Sequence, residues 1–177
     1  MLREPTSLDV DALVDLLSVS DSARFGLDEP ANDFAVLGLI ERAARERAGG
    51  ISFTYVITVS ATKSIVGLIH VRQLDPTFEA AEWECTVAPA SRGTGIFVEA
   101  AHLAGSLAFG TIGAHRLEAR VPIQNGRANG ALRKLGAVQE GILRRSVRRR
   151  EGYVDQVLWS ILKEDWTTPL VSAMRVH

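Results

Sequence analysis

The fold prediction starts from residues 83–109, whose sequence is WECTVAPASRGTGIFVEAAHLAGSLAF. A strand is predicted up to Val87, and an apolar helix is predicted after the turn that follows. In that turn Gly93 and Gly95 stand beside Arg92, and glycines at such a junction expose backbone N–H groups with little steric cost. The first amides of the helix and the positive end of its dipole add further donors. The turn therefore predicts a binding site for a phosphate or pyrophosphate group.

The composition is that of a globular domain. The chain has 177 residues, of which 46% are hydrophobic, and a formal net charge of −1. This length suits one domain with a real core. No apolar run approaches the roughly 18 to 20 residues that span a bilayer, and the N-terminus has no signal-peptide core. We expect a soluble, cytoplasmic protein without a membrane partner.

The reactive residue types are sparse and scattered. A single cysteine, Cys85, excludes an internal disulfide framework, and four dispersed histidines give no metal-ligand spacing, so no metal site is expected. His70, His102 and His115 fall on separate predicted elements and are interpreted as surface or hydrogen-bonded residues. The near-zero charge gives no argument for nucleic acid. The basic run 144–150 could attract an acidic substrate or ribosomal RNA, but we favour a solvated hairpin edge.

Two helices are predicted before the first long strands. Thr6 and Asp9 have the spacing of a capping box for the first helix. Asn32 or Asp33 is the predicted cap of the second helix, which stops at the pair 49–50, both glycines. Both helices show apolar residues at helical spacing and are expected to pack on a sheet.

The remaining elements alternate strands and helices. Strands are predicted at 53–59, 64–71, 81–87, 115–121, 138–147 and 153–162. The third helix starts at Ile96 and is expected to bury Ala100, Leu103 and Leu107 and to expose Glu99, His102 and Ser106. The fourth is capped by Asn125, and Gly136 ends it.

This order predicts the fold class. Strands separated by a helix are normally parallel neighbours, whereas hairpin strands are antiparallel, so the sheet must be mixed. We expect a single α/β (α+β) domain over residues 1–177, with a mostly antiparallel sheet of about six or seven strands flanked by about four helices. Residues 167–177 are expected to form an irregular tail.

With this order, the motifs resemble the GNAT superfamily of N-acetyltransferases, and within it the RimJ/RimL-like group that acetylates protein N-termini. The family's cofactor motif is arginine or glutamine, two residues, glycine, one residue, then glycine or alanine. Arg92, Gly95 and Phe97 occupy those places, so the last position departs from the pattern. Gly141, Arg144, Gly152, Asp155 and Asp165-Trp166 also resemble the group.

A second block runs from Asn125 to Ala137 and resembles the group's pattern of asparagines, a basic residue and glycine. Ala128 stands where serine is usual. Leu132 stands where many members carry a tyrosine proposed to protonate the departing thiolate. These departures and Phe97 motivate an alternative reading, a non-catalytic domain that binds acyl-CoA.

The resemblance implies transfer of acetyl from acetyl-CoA to a primary amine by direct attack in a ternary complex. The acceptor would be a small molecule or a peptide, including a protein N-terminal α-amine such as that of a ribosomal protein. Whether the chain forms a homodimer stays open. The residues implied in holding acetyl-CoA are Cys85, Thr86, Val87, Arg92, Gly93, Thr94, Gly95, Ile96, Asn125, Asn129 and Lys134.

Two carboxylates are candidates for the general base that deprotonates the amine. Glu82 and Glu84 share one face of a strand by period two and could raise each other's pKa. Glu82 matches the position where the RimJ/RimL-like group often carries glutamate. The alternative is that both are solvated residues at a strand start. A backbone N–H between Cys85 and Val87 would hold the acetyl carbonyl, and the Cys85 thiol is interpreted as a small apolar residue.

Overall fold

A computed structural model describes residues 1–18, 31–149 and 152–166 of the chain. Its described strands form one seven-stranded sheet in the order β1-β2-β3-β4-β5-β7-β6. The strands are β1 Leu2–Arg3, β2 Ser52–Thr58, β3 Ile65–Gln73, β4 Ala80–Val87, β5 Arg116–Pro122, β6 Val138–Arg149 and β7 Gly152–Leu162. The α-helices are α1 Val10–Ser18, α2 Asp33–Ala48, α3 Ile96–Ser106 and α4 Gly126–Lys134.

The predicted mixed sheet is confirmed. Strands β4 and β5, which flank α3, pair in parallel, and all other described pairs are antiparallel. The predicted number of strands and helices is also confirmed for the described residues. The predicted tail at 167–177 lies outside them. No helix among the described residues is long and apolar enough to cross a membrane.

The helix starts follow the caps predicted from the sequence. The Asp9 carboxylate accepts a hydrogen bond from the Thr6 N–H at 2.7 Å, and the Arg3 guanidinium donates to both of its oxygens. This arginine holds the pKa of Asp9 below its usual range. Asn32, rather than Asp33, caps α2 and accepts from the Ala35 N–H at 2.9 Å. Side-chain caps of this kind satisfy amides that have no partner inside the helix.

The helices cover the two faces of the sheet in pairs. Helices α1 and α2 bury Leu13, Leu17 and Val36 against Val56 and Leu68 of β2 and β3. Helices α3 and α4 lie on the opposite face, where the larger core contains Trp83, Leu117, Leu132 and Trp159. Because side chains alternate along a strand, β2 and β3 contribute to both cores.

The predicted buried face of α3 is wrong in part. Leu103 is 43% exposed, while Ala101, Ala104 and Gly105 are buried. Small residues let this helix approach the sheet closely, and the ring of Trp166 lies over Gly105, where an added Cβ would come within 2.3 Å of the indole. His102, which was expected to be exposed to solvent, is only half-exposed, since its ring packs against that of Trp166 with centroids 5.2 Å apart.

Candidate active site

The sheet divides between β4 and β5. Strand β4 pairs with β3 as far as Val87, but its pairing with β5 covers only Ala80 to Glu82. Strand β5 continues to Pro122 and pairs with β7 along its whole length. A gap therefore opens between the carboxyl-terminal halves of two neighbouring strands, in the middle of the sheet.

The edge of β4 that lines this gap can be assigned from backbone alternation. The Ala88 N–H donates to the Val66 carbonyl at 2.8 Å, so the backbone of Ala88 faces β3. Trp83, Cys85 and Val87 alternate with it, and their N–H and C=O groups point toward the gap. The Val87 carbonyl accepts a hydrogen bond from Arg92 Nε at 3.1 Å, which agrees with this direction.

The gap ends at the glycine turn. Gly93 and Gly95 have φ of 79° and 89°, in the left-handed region that glycine adopts without strain. Gly95 is the N-cap of α3, so the first N–H groups of the 11-residue helix, from Ile96, open at the turn. The Thr94 hydroxyl ties the turn together by donating to the Ser91 carbonyl at 2.7 Å. Exposed amides, a helix start and an arginine suit a pyrophosphate.

The departure at Phe97 has a packing explanation. Its ring stacks on Trp83 of β4 with centroids 5.9 Å apart and packs against the larger core. The ring is partly buried and packs against the core instead of filling the turn. The side chain of Cys85 also packs, partly buried, against this core.

The second motif block forms α4 and its connection to the sheet. Asn125 caps the helix by accepting from the Ala128 N–H at 3.1 Å. Asn129 Nδ2 donates to the carbonyls of Asn125 and Pro122 at 2.9 and 3.1 Å, and its Oδ1 accepts from Trp159 Nε1 at 2.8 Å. The amide thus joins α4 to the end of β5 and to Trp159 within β7, which favours a positioning role. Lys134 is exposed in the last turn of the helix.

Glu82 is not a solvated residue. It is 3% exposed, and its carboxylate forms ion pairs with Arg72 of β3 and, at 3.5 Å, with Arg120 Nε of β5. It lies at the last paired position of β4 and β5, opposite Glu118. Arginines from the two neighbouring strands therefore converge on one carboxylate where the sheet divides. A substrate amine would have to compete with them for its oxygens.

Glu84 lies two residues further along β4 and lines a cavity of about 350 Å³ under α2. The cavity lies on the face of the sheet opposite α3. It is lined by Leu39, Arg42, Ala43, Glu46, Ile51, Ser52, Thr54, His70, Arg72, Gln73 and Glu84. Of the two predicted carboxylates, Glu84 is the one that meets this space beside the gap.

His70 faces Glu84 across the β3–β4 pair and lies in the same cavity. Its Nδ1 is 2.7 Å from the Thr54 hydroxyl. Burial lowers the pKa of His70 to about 4; the charges of Arg72 and Arg42 also lower it, and Glu46 raises it. The hydrogen bond to Thr54 agrees with the interpretation of His70 as a hydrogen-bonded residue, but its place in this cavity could not be predicted, because its neighbours come from three other elements. No cluster of three or more metal-ligating side chains occurs in the described ranges.

The half-buried imidazole of His70 is expected to make the fold sensitive to acid. In the unfolded chain His70 is protonated near its ordinary pKa of 6.5, whereas in the folded chain it is protonated only near pH 4. The stability that His70 contributes is thus present above pH 6.5 and is lost as the pH falls to about 4. The loss in the free energy of unfolding is about 3 kcal/mol, at about 1.36 kcal/mol per pH unit. Urea unfolding across this window should show a smaller loss in His70→Gln. The exposed His115→Gln should behave as wild type, and an equal loss in all three proteins would contradict the assignment.

Gly67 controls the geometry of β4 from the neighbouring strand. A Cβ added there would come within 2.5 Å of the Thr86 carbonyl oxygen and 2.7 Å of Ile57 Cδ1. Gly67→Ala must therefore displace β4 beside the gap, and we expect it to cost about 1–3 kcal/mol in urea unfolding and to weaken acetyl-CoA binding. Gly38→Ala, in an open position of α2, is the control. Wild-type stability and affinity in Gly67→Ala would rule out this close contact.

Solved structures with known names share the fold. Spermidine N-acetyltransferase from Vibrio cholerae, solved in complex with CoA and spermine, is 21% identical with a TM-score of 0.79, covering 93% of this chain and 96% of that one. Ribosomal-protein-S5-alanine acetyltransferase from Vibrio fischeri is 17% identical with a TM-score of 0.79, covering 94% of each chain. A probable acetyltransferase is 20% identical with a TM-score of 0.82, covering 93% of each.

A family match identifies the chain more directly than these distant structures. No curated protein matches the sequence significantly. Residues 1–138, well over half of the chain, match the family described as "Acetyltransferase (GNAT) domain". This match covers the divided strand β4, the glycine turn and α4. The chain belongs to the GNAT family and is an acetyltransferase.

Proposed function

We propose that the protein transfers an acetyl group from acetyl-CoA to a primary amine by direct attack in a ternary complex. The observation that carries the proposal is the edge of β4, which leaves β5 after Glu82 and runs into the glycine turn at the start of α3. This edge offers backbone groups along the gap and then backbone N–H donors at the turn. An extended arm that contains amides and ends in a pyrophosphate would meet these backbone groups in the same order, first along the gap and then at the turn.

The residues that would hold acetyl-CoA fall into two sets. Gly93, Thr94, Gly95 and Ile96 would bind the pyrophosphate through backbone N–H groups, and Arg92 would add its charge. The β4 backbone from Cys85 to Val87 would bind the arm and the acetyl carbonyl, as a preorganised oxyanion site. Asn125, Asn129 and Lys134 belong to the proposed cofactor site at its α4 side, with Asn129 acting through the position of the helix.

The chemistry assigns different roles to the two glutamates. When bound, acetyl-CoA supplies a thioester carbon that accepts the amine's electron pair while the carbon–sulfur bond breaks and its pair leaves on sulfur. Glu84 takes the proton that the amine loses, since it lines the cavity beside the gap. Glu82 positions the divided strands through Arg72 and Arg120. Leu132 cannot donate a proton, so the tyrosine that is proposed as general acid in many members has no counterpart at this position.

The motifs and the structural neighbours suggest fewer types of acceptor amine than the fold alone would allow. The motifs resemble the RimJ/RimL-like group, and a structural neighbour with a TM-score of 0.79 is named for a ribosomal protein, whereas others are named for spermidine. A protein N-terminal α-amine and a small amine are therefore the two acceptor types to compare. A cytoplasmic location, as predicted from the sequence, suits both.

Binding and turnover test the proposal separately. Isothermal titration with acetyl-CoA should give a saturable one-site isotherm, and thiol release should rise above the rate of hydrolysis when a suitable amine is added. The amine panel should include polyamines, amino acids and short peptides. Absence of acetyl-CoA binding would refute the cofactor site. Binding without turnover on any amine would favour the non-catalytic acyl-CoA-binding alternative.

A further inference from the structure

The end of the β6–β7 hairpin carries positive charge that the proposed acetyl transfer does not use. Arg144, Arg145 and Arg148 are exposed on β6, and in the described part of the chain no carboxylate forms an ion pair with any of the three. Arg116 of β5, by contrast, is paired with Glu118 at 2.9 Å. The whole chain has a formal net charge of −1, so the positive charge is a local property of this hairpin.

A bulge in β6 presents two of these arginines. The register of β6 against β7 shifts between Leu143 and Val147, so residues 144–146 lie opposite Asp155 alone. Arg145 has a φ of 47°, in the left-handed region that side chains other than glycine rarely adopt. Its N–H donates to Asp155 Oδ1 at 2.7 Å, which holds this backbone in place. The carboxylate opposite the bulge therefore binds the backbone of β6 and not a guanidinium group.

Protection of an edge strand explains only part of this arrangement. Strand β6 lies at the edge of the sheet, and bulges and charges keep such a strand from pairing with another chain. Lysine is the residue most used for that purpose, yet every basic residue of the run 144–150 is an arginine. A guanidinium presents a planar fork of N–H donors that matches a phosphate group, whereas an ammonium is a point charge. The residue type and the bulge together favour a partner that carries phosphates.

An exposed aromatic ring lies beside the arginines. Tyr153 of β7 is 62% exposed and pairs directly with Arg148 across the hairpin. Opposite residues of an antiparallel pair point to the same face, with Cβ atoms about 4.5–5.5 Å apart. An unstacked base can lie on such a ring while a neighbouring guanidinium contacts a phosphate, and a single strand of nucleic acid offers both groups. An acidic peptide would use the arginines but would have no need of the ring.

We propose that the end of the β6–β7 hairpin binds single-stranded nucleic acid, with phosphates at Arg144, Arg145 and Arg148 and a base stacked on Tyr153. Arg145 and Arg148 are three residues apart, about 10 Å at about 3.3 Å per residue, so they contact different phosphates. This inference is independent of the proposed acetyl transfer. None of the four residues belongs to the proposed acetyl-CoA site or lines the cavity under α2.

Fluorescence anisotropy with labelled RNA and DNA strands of about 12 nucleotides tests the proposal on the full chain. We expect saturable binding at about 50 mM salt, and the logarithm of the affinity should fall against log salt with a slope of about −2, at about −0.7 for each of three phosphate contacts. Arg144→Gln, Arg145→Gln and Arg148→Gln should each reduce the slope by about 0.7. Arg45→Gln, exposed on α2, is the control and should bind as wild type. Binding of either strand type supports the proposal, and a difference between them identifies the sugar that is recognised.

Two further variants separate nucleic acid from an acidic peptide. Tyr153→Ser should weaken binding at least about 5-fold, since one stacked base is lost. Asp155→Asn keeps an oxygen for the Arg145 N–H and should strengthen binding, because the negative charge opposite the bulge is gone. An oligoglutamate peptide that binds as tightly as the strands, or wild-type affinity in Tyr153→Ser, would overturn nucleic acid as the partner. Absence of saturable binding, or arginine variants that are folded by urea unfolding and bind as wild type, would overturn the site itself.

Discussion

A Gly95→Val variant is expected to lose at least 10-fold in affinity for acetyl-CoA. Gly95 has a φ of 89°, and a β-branched residue is strongly disfavoured there. A turn that relieves this strain changes its shape, and fewer backbone N–H groups then point at the pyrophosphate. A cost of about 1.4 kcal/mol already corresponds to 10-fold. Isothermal titration measures the effect directly.

The control for this variant is Gly38→Ala. Gly38 lies in α2 where an added Cβ meets nothing within 4 Å, and its φ is not in the left-handed region. It should bind acetyl-CoA as wild type does and gain up to about 1 kcal/mol of stability from the better helix former. If Gly95→Val binds acetyl-CoA with wild-type affinity while remaining folded, the pyrophosphate does not lie in this turn.

Glu84→Gln is expected to lower kcat at least about 100-fold while the affinity for acetyl-CoA stays unchanged, because a general base typically contributes 10²–10⁴. The amide keeps the size of the side chain but cannot take the proton. The loss should shrink at higher pH, where more of the amine arrives already neutral. Steady-state kinetics over a pH series and titration with acetyl-CoA provide the two readouts.

Glu82→Gln is the matched comparison on the same face of the same strand. It removes the carboxylate charge that Arg72 and Arg120 share at the division of the sheet and leaves Arg120 with Glu118 alone, so we expect a loss of stability of about 1–3 kcal/mol. Its kcat should fall less than that of Glu84→Gln. The reverse order would assign the base to Glu82, as the family resemblance suggests, and undiminished rates in both variants would exclude a carboxylate base on this strand.

Local patterns in the sequence predicted the elements well. The capping contact between Thr6 and Asp9, the Asn32 and Asn125 caps, and the start of α3 at Ile96 are all present in the structure. Each of these depends on residues within about four positions of one another, where backbone geometry fixes the contact. The buried face of α3 was harder to predict, because Leu103 is more apolar than the small residues that the packing with Trp166 selects.

The candidate site was predicted unevenly for the same reason. The glycine turn is contiguous in sequence, so its positive φ values and helix start follow from its composition. The spacing of Glu82 and Glu84 did not separate their roles, since both lie on one face of β4, and only the family resemblance pointed to Glu82. They differ because Arg120, 38 positions away, reaches Glu82, while α2 forms a cavity over Glu84.

By itself the sequence determined the order of the elements, the mixed sheet and the turn that ends in α3, because caps, glycines and periodicity act between near neighbours. Only the tertiary structure decided that β4 and β5 pair over three residues and then separate, and that Arg42, His70 and Glu84 share one cavity. Strand register and the placement of α2 bring these groups together. Such contacts depend on the packing of distant segments, and no local pattern encodes them.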